Sequence, residues 1–475
     1  MESSDENQKL SDLETKNTTD ISHTRLRYFV LFLACFLCFG SYFIYDIPSA
    51  LQTQIQDELD ISIFQFSLLY SVYSFPNIIL PFFGGYLIDF LGVRVGIMIF
   101  CSLVAIGQAV FAFGVSIKSF PIALLGRCIF GCGAESLGVT QSTIVSKWFS
   151  EKDLAMALSM NISISRSASV LNYTLEPYLL SLSGNTILGL WVGFLICVGS
   201  LFCGLGILVF DKKRDRMLGI KDRKNIPDDE KIKCSDIKKF GFCYWMICAN
   251  IVFVYISIVC FNNFASNYYQ VRFDYTTQQA GLVISIVYAV SAVLCPIMGR
   301  IVDKIGKRVI FLIVAASCVT LVFVLFLLTP DSHKSLHPVF YTLILGIGDS
   351  INSSVIWACI PYLVESRTIG TAFGVSSAVQ NLGLSVGPMA VGFINEYTTK
   401  DHGYYWVTFF LVMMAFLGVL TTTTIYIYDM RHGGILNAVD PQSIIEKKIR
   451  PKDIKIRPEI NYSESLLSKE SVVEK

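Results

Sequence analysis

The stretch GYLIDFLGVR (85–94) carries glycine, aspartate, glycine and arginine in the pattern G-x-x-x-D-x-x-G-x-R. The stretch GRIVDKIGKR (299–308) repeats this pattern 214 residues later. A second pair of segments, FGCGAES (130–136) and LGIGDS (345–350), aligns its glycines at an offset of 215, and the segments that follow stay in register. Three aligned features at offsets of 214 and 215 residues indicate that the chain consists of two related halves.

The composition is that of a membrane protein. Hydrophobic residues make up 53% of the 475 residues and charged residues 16%, which excludes an ordinary soluble enzyme. Apolar runs of about 20 residues recur, the length that a helix needs to cross a hydrocarbon core of about 30 Å. Twelve such spans are predicted, at 27–47, 64–88, 95–116, 120–146, 154–181, 187–210, 240–268, 278–299, 308–329, 338–363, 370–396 and 404–428.

The repeat and the charge distribution predict the organisation of the chain. The predicted parts are an N-terminal tail (1–26), a six-helix bundle (27–210), a charged linker (211–239), a second six-helix bundle (240–430) and a C-terminal tail (431–475). Nearly all of the 38 Lys and Arg residues lie on the side of the membrane that carries both tails; the exceptions are Lys118, Arg272, Lys334 and Lys400 in opposite loops and Arg127 and Arg166 inside spans. Because basic residues accumulate on the cytosolic side, both termini are predicted to be cytosolic.

Two opposite charges are predicted near the middle of the membrane. Glu135 in span 4 lies twelve residues from Lys147, or about 18 Å along a helix, and Arg166 in span 5 lies thirteen residues from Asp153, or about 20 Å. Charges at this depth are costly and are usually paired or functional. One hypothesis is an ion pair that fixes the two helices. The other is a site for a zwitterion, in which Glu135 binds an ammonium group and Arg166 a carboxylate.

Three further acidic residues occur in or next to the spans. Asp46 and Glu176 are estimated to lie at the non-cytosolic ends of spans 1 and 5, where we expect them to be solvated. Asp349 in span 10 is deeper and could receive a proton or pair with a group of the cavity. The spans contain no histidine to relay protons.

The duplicated Gly/Asp/Gly/Arg loops between spans 2 and 3 and between spans 8 and 9 resemble the signature of the major facilitator superfamily. The resemblance covers spans 1 to 12 and implies an all-α membrane protein with twelve transmembrane helices in two pseudo-symmetric six-helix bundles, the major facilitator fold. In such transporters the halves rock around a substrate near the bilayer midplane. The resemblance implies a conformational latch between the halves when the cavity faces outward, formed by Gly85, Asp89, Gly92, Arg94, Asp303 and Arg308. Arg127 in span 4 matches an arginine common in the family and is expected to act in packing or gating.

Four segments carry a closer resemblance, to the lysosomal dipeptide transporters within this superfamily: FGSYFIYDIPSALQTQ (39–54), YSFPNIILPFFGGYLID (73–89), FGCGAESLGVTQ (130–141) and GTAFGVSSAVQNLGL (370–384). This resemblance implies uniport of dipeptides from the lysosome to the cytosol, with Glu135 for the peptide amine and Arg166 for its carboxylate. Further candidates for the lining of the binding site are Tyr45, Tyr255, Tyr288, Trp357, Gln380 and Asn381.

The closer resemblance also implies a glycosylated single-pass accessory subunit that shields the transporter. Consistent with this, the predicted topology places every Asn-x-Ser/Thr sequon in a cytosolic tail or a span. The acidic dileucine sorting signal of the relatives is not visible in the N-terminal tail, so residence in the lysosomal membrane is expected from the resemblance alone.

Two alternatives compete with a dipeptide uniporter. One is a proton-coupled carrier of amino acids or organic anions, with Glu135 or Asp349 as the proton site. The other is a non-transporting nutrient sensor that signals through its tails. The sequence has no nucleotide-binding loop, metal cluster or nucleophile constellation. We therefore expect no enzyme activity, cofactor, metal or nucleic-acid partner, and a lipid bilayer as the environment.

Overall fold

The computed structural model describes residues 26–80, 92–149, 151–218, 234–330, 336–364, 368–398 and 403–439. It is built of helices throughout these residues. They are α1 (Leu26–Ala50), α2 (Ile63–Ser74), α3 (Val93–Ser116), α4 (Phe120–Trp148), α5 (Glu151–Ser183), α6 (Thr186–Leu218), α7 (Phe242–Phe273), α8 (Thr277–Ile305), α9 (Arg308–Leu328), α10 (His337–Tyr362), α11 (Ile369–Thr398) and α12 (Gly403–Arg431). These helices correspond one to one to the twelve predicted spans.

Ten of these helices are long and apolar enough to cross a membrane by themselves. The two others have identifiable reasons for falling short within the described residues. The helix α2 is described over only twelve residues before a short 3-10 turn, Pro76–Ile78. The helix α5 has 33 residues but carries a row of buried polar side chains, among them Asn161, Asn172 and Glu176, which lower its hydropathy. A polar helix of this length can cross a membrane only when its polar face lies inside the protein.

The duplication is visible in the backbone of the turns. Asp60 ends the short helix Gln52–Leu59 in the left-handed conformation (φ 51°), and Asp274 ends α7 in the same way (φ 55°). Two residues later, Ser62 and Thr276 begin α2 and α8 with capping boxes, each completed by the glutamine three residues on. Such boxes satisfy two free N–H groups at a helix start.

The second glycine of each signature loop has a positive φ, which explains its residue type. Gly92 precedes α3 with φ 81° and Gly306 follows α8 with φ 70°, a backbone conformation that residues with a Cβ rarely adopt. A Cβ at Gly306 would also lie 2.6 Å from the carbonyl oxygen of Ala438. Gly85 and Asp89 lie outside the described residues.

Within the N-terminal half, α3 and α4 approach closely because glycines lie at their contact. A methyl group at Gly107 would lie 2.5 Å from the backbone nitrogen of Phe130, and one at Gly126 would lie 2.4 Å from that of Phe111. Small residues at helix contacts are how membrane helices gain close packing.

Two predicted segment boundaries are corrected by the structure. The predicted linker (211–239) was expected to be solvated, but α6 continues through Leu218 and the side chain of Asp211 is buried against Arg94. The predicted C-terminal tail begins inside the fold, because Leu436 is buried and its backbone N–H donates to Asp429.

The two halves meet through α2 and α11 and through α5 and α8. Both described chain ends lie on one face of the bundle, which we call the terminal face. Bonds between the halves concentrate on the opposite face: Ser49 to the carbonyl of Asn262 (2.6 Å), Gln54 to Thr277 (3.2 Å), Asn267 to Thr53 (3.1 Å) and the N–H of Phe64 to Glu396 (3.1 Å). We call these bonds the seal. The seal closes the opposite face, so the cavity between the halves opens towards the terminal face.

Candidate functional site

The carboxylate of Glu135 faces the cavity midway along α4. Its side chain is exposed, and among the described residues it forms no hydrogen bond or ion pair. Tyr42 of α1, also exposed, lies within electrostatic range of Glu135, of Arg166 and of Tyr255. Since Tyr255 belongs to the C-terminal half, these four residues surround one space between the halves.

Arg166 does not pair with Glu135, which corrects the ion-pair hypothesis. Its guanidinium lies 3.6 Å from the carboxylate of Asp349 on α10, in the other half of the molecule. Ser291 and Ser353 also donate to this carboxylate, at 3.4 and 3.2 Å. The arginine is 22% exposed and the aspartate 7%, so the arginine keeps a free edge towards the cavity while the aspartate is enclosed.

Tyr255 and Trp357 form one wall of the cavity in the C-terminal half. The indole N–H of Trp357 donates to the hydroxyl of Tyr255 at 3.0 Å. Tyr255 is followed by a π-helical turn, Ile256–Cys260, a helix irregularity that is frequent at functional sites. Tyr255 also lies within electrostatic range of Asp349 and Arg166.

Asp46 is buried rather than solvated, contrary to the expectation from sequence. It is 2% exposed and accepts hydrogen bonds from Tyr173 (3.4 Å) and Tyr288 (3.3 Å), whose rings stack at 5.5 Å. The guanidinium of Arg166 lies 5.9 Å from the centre of the Tyr288 ring. This tyrosine pair therefore joins α5 to α8 beneath the seal and beside the arginine.

Glu176 is likewise buried, at 0% exposure, although the sequence suggested solvation. Its carboxylate lies against Gly189 of α6, where a methyl group would come within 1.9 Å of an oxygen. Neither oxygen has a hydrogen-bond partner among the described residues.

Arg127 lies in a packing position. It is 0% exposed and donates to the backbone carbonyls of Leu69, Ile44 and Tyr45 at 3.2 to 3.4 Å. Five aromatic rings surround its guanidinium, those of Tyr45, Tyr70, Tyr73, Phe111 and Phe130. The arginine thus holds α1, α2 and α4 together, and Tyr45 belongs to this cluster.

Asn381 is buried and donates to the carbonyl of Ser377 on its own helix, α11. This bond stays within α11, and the role of Asn381 in the binding site stays a prediction. Tyr288 reaches the site through its ring and its bond to Asp46, as described above.

The signature residues make contacts within their own halves in this conformation. Arg94 bonds Asp211 (2.6 Å) and pairs with Asp215, both on α6. Asp303 is exposed, while Arg308 donates to the carbonyl of Ala438 at 3.0 Å and lies 4.7 Å from the ring centre of Tyr362. A latch between halves was expected only for the opposite conformation, so that expectation stays a prediction.

The partners of Arg94 and Arg166 were not predicted from the sequence. The acidic residues of FDKKRDRM (210–217) were available as a signal for the first. For the second, the sequence offered Asp349 as a residue that could pair with a group of the cavity, but it did not identify that group as Arg166 of the other half. Among the described residues, no cluster of His, Cys, Asp or Glu could hold a metal ion.

Comparison with known proteins places this architecture in a family. The profile described as Major Facilitator Superfamily matches residues 31–388. The lysosomal dipeptide transporter MFSD1 of Bos taurus is 35% identical over 433 residues, which cover 88% of this chain and 89% of the relative. Among solved structures, a bacterial homologue of the human lysosomal transporter Spinster aligns with a TM-score of 0.63 at 14% identity, covering 85% of this chain and 97% of the other.

A peptide transporter, POT, in complex with sulfate, aligns with a TM-score of 0.64 at 14% identity, covering 86% of this chain and 96% of the other. At this identity the likeness of the two solved structures concerns the fold. The family profile and the relative together show that this chain belongs to the major facilitator superfamily of transporters, as a relative of the lysosomal dipeptide transporter MFSD1.

Proposed function

We propose that the protein transports dipeptides from the lysosomal lumen to the cytosol by alternating access. This proposal rests on two side chains that line one cavity. Glu135 is an exposed carboxylate with no partner among the described residues, and Arg166 is a partly exposed guanidinium. A dipeptide has an ammonium group at one end and a carboxylate at the other. A site with one carboxylate outside any described ion pair and one guanidinium that keeps an edge towards the cavity selects such a ligand and fixes its direction.

Asp349 would couple substrate binding to the relative motion of the two halves. A guanidinium has five N–H donors, so Arg166 can hold a substrate carboxylate while it keeps or releases Asp349. Because Arg166 and Asp349 belong to different halves, a substrate that competes for the arginine alters a contact between them. Occupancy of the site would thereby bias the rocking of the bundles.

The remaining cavity groups suit the rest of a dipeptide. Tyr42, Tyr255 and Trp357 offer aromatic surface and hydroxyl groups without further charge, which tolerates varied side chains. We infer that these residues contact the peptide bond or its side chains, whereas Arg127 and Tyr45 support the helices.

For orientation, we propose that the terminal face is cytosolic and that the seal lies on the lumenal side. The distribution of basic residues supports this assignment. The conformation described would then release substrate to the cytosol. The opposite conformation would break the seal and form the latch through Asp89, Arg94, Asp303 and Arg308. A glycosylated single-pass accessory subunit would shield the lumenal side, and its co-purification with the chain would test this part.

The test is uptake of radiolabelled dipeptides into proteoliposomes with and without a pH gradient. The substitution Glu135→Gln keeps the size of the side chain and should raise KM roughly 10- to 100-fold, the effect of losing a charge-assisted hydrogen bond of about 1.5–3 kcal/mol. Arg166→Ala should abolish saturable uptake. Arg431→Gln, at the exposed end of α12, serves as a control that keeps wild-type flux.

Wild-type flux in both site variants would refute the site assignment. Uptake that requires a proton gradient would favour the proton-coupled alternative. A chain that is cut after residue 439, so that it keeps the packed residues Leu436 and Ala438, and that retains its flux would argue against the sensor hypothesis, which needs the tails.

A further inference from the structure

A groove lies between α5 and α8, on the side of the central cavity that is nearer to the terminal face. Its volume is about 250 Å³. It is lined by Met156, Ser159, Met160, Ser163 and Ile164 of α5 and by Pro296 and Arg300 of α8. At its inner end the two helices touch, because the hydroxyl of Ser163 donates to the carbonyl of Ala292 at 2.8 Å. Beyond this contact the helices leave the groove between them.

Exposed apolar side chains on both helices border the groove, which indicates that it opens towards lipid. On α5, the exposed residues Met160, Leu171 and Tyr178 are spaced by eleven and seven residues, close to whole numbers of helical turns, so they share one face. On α8, the exposed residues Val293 and Ile297 and the exposed Arg300 follow at intervals of four and three, again on one face. Rows of exposed apolar side chains on membrane helices face lipid.

Arg300 gives this outer face a positive charge at the level of the membrane surface. It lies five residues before the end of α8 at Ile305, or about 7.5 Å along the helix. Its side chain is exposed and has no ion pair with a described residue. An arginine at this depth can reach the interface with its head while its stem stays in apolar surroundings.

We propose that this groove binds one anionic phospholipid from the leaflet at the terminal face. The guanidinium of Arg300 would hold the phosphate in a forked contact, a geometry that suits arginine. The hydroxyl of Ser159 lines the same groove, and an acyl chain would lie on the deeper residues Met160 and Pro296. Positive charge beside a methionine-lined apolar surface matches the two parts of such a lipid.

The lipid would act on the conformational equilibrium. The helices α5 and α8 come from different halves, and their ends at the terminal face must approach each other when the cavity changes sides. A lipid in the groove obstructs that approach, so it binds preferentially to the conformation described here. Anionic lipid should therefore hold the transporter open towards the terminal face.

The test is native mass spectrometry of the purified full-length protein in detergent, titrated with dioleoyl phosphatidylglycerol or dioleoyl phosphatidylcholine. We expect one molecule of phosphatidylglycerol to bind roughly tenfold more tightly than phosphatidylcholine, and Arg300→Gln to remove that preference. Arg431→Gln removes a positive charge from the same face and should leave the preference intact. Equal retention of phosphatidylglycerol by the wild type and Arg300→Gln would overturn the proposal.

A second variant tests the apolar part without changing the charge. Met160→Trp fills the groove from the lipid side and should weaken phosphatidylglycerol binding while Arg300 is present; unchanged binding would refute the placement of the acyl chain. Inorganic phosphate alone distinguishes a lipid from a free anion. A thermal shift with phosphate as large as that with phosphatidylglycerol would also overturn the proposal.

Discussion

The helices α4 and α10 occupy equivalent positions in the two halves. Their glycine contacts are alike, whereas their carboxylates differ. Their glycines pack in equivalent ways. Gly131 of α4 lies against Tyr73, at the end of α2, and Gly346 of α10 lies against Val287 of α8. Gly133 and Gly348 lie against the next helix of their own halves, α3 and α9. The duplicated residues thus maintain the same helix contacts in both halves.

The carboxylates of the two helices differ in their surroundings. Glu135 is exposed and without a partner in the described part of the chain, whereas Asp349 is enclosed by Arg166 and two serines. The carboxylate of Glu135 therefore forms no described contact that a ligand would have to replace, whereas that of Asp349 holds Arg166 of the opposite half in place. The pseudo-symmetric scaffold thus carries an asymmetric arrangement of charges, which is what the proposed ligand with unlike ends requires.

The largest effect on stability is expected where the glycine contacts are tightest. A methyl group at Gly131 would lie 2.2 Å from the carbonyl oxygen of Tyr73, but one at Gly346 would lie 3.1 Å from its nearest neighbour. Gly131→Ala should lower the free energy of unfolding by about 3 kcal/mol through overpacking. Gly346→Ala should be nearly neutral, because the gain in helix propensity of about 1 kcal/mol offsets a mild contact. Thermal unfolding in detergent measures both, and equal losses of Tm would contradict the difference in packing.

Substitutions of the two carboxylates should have different effects, with Asp349 affecting stability and Glu135 affecting transport. Asp349→Asn leaves the guanidinium of Arg166 without its counter-ion and should cost about 1–3 kcal/mol of stability. Glu135→Gln should leave Tm unchanged, since no described contact is lost. The double variant Arg166→Ala/Asp349→Ala should be less destabilised than the sum of the single variants. Additive losses in this cycle would show that the ion pair contributes nothing.

The smallest effects are expected at the duplicated capping boxes. Ser62→Ala and Thr276→Ala each remove a side-chain acceptor for the N–H three residues on. Each should cost about 1 kcal/mol, the usual value for a lost helix cap. Ser62→Thr and Thr276→Ser are the matched controls, which should keep wild-type Tm. A loss at only one position would show that the two turns are not equivalent.

The architecture could be predicted because the length, the hydropathy and the repeat can be read from the sequence without knowing which side chains touch. The duplicated turns were missed, although Asp60/Ser62 and Asp274/Thr276 stand at the offset of the repeat and were available as a signal. The partner of Arg166 could not be predicted. Distance along a helix gives the depth of a residue in the membrane, but not the direction in which its side chain points.

The same limit explains the error at Asp46. The sequence suggested that the first helix ends soon after this residue, so that its carboxylate would meet water. In the structure α1 runs to Ala50 and is followed by the helix Gln52–Leu59, which adds further turns above Asp46. Glu176 is buried for another reason: the predicted span ended within two residues of Ser183, but the side chain of Glu176 lies against Gly189 of α6. Burial depends on where a helix ends, and apolar spans locate those ends only approximately.

The duplicated turns have a mechanical consequence for the seal. Its contacts at Gln54, Phe64, Asn267 and Thr277 all lie within a few residues of the turns at Asp60 and Asp274. Each turn is fixed by a left-handed residue and a capped helix start, so it resists bending. We therefore expect each turn to move as a rigid unit. We expect the two to separate as such units when the seal opens, so the bending that this requires must occur elsewhere along the helices.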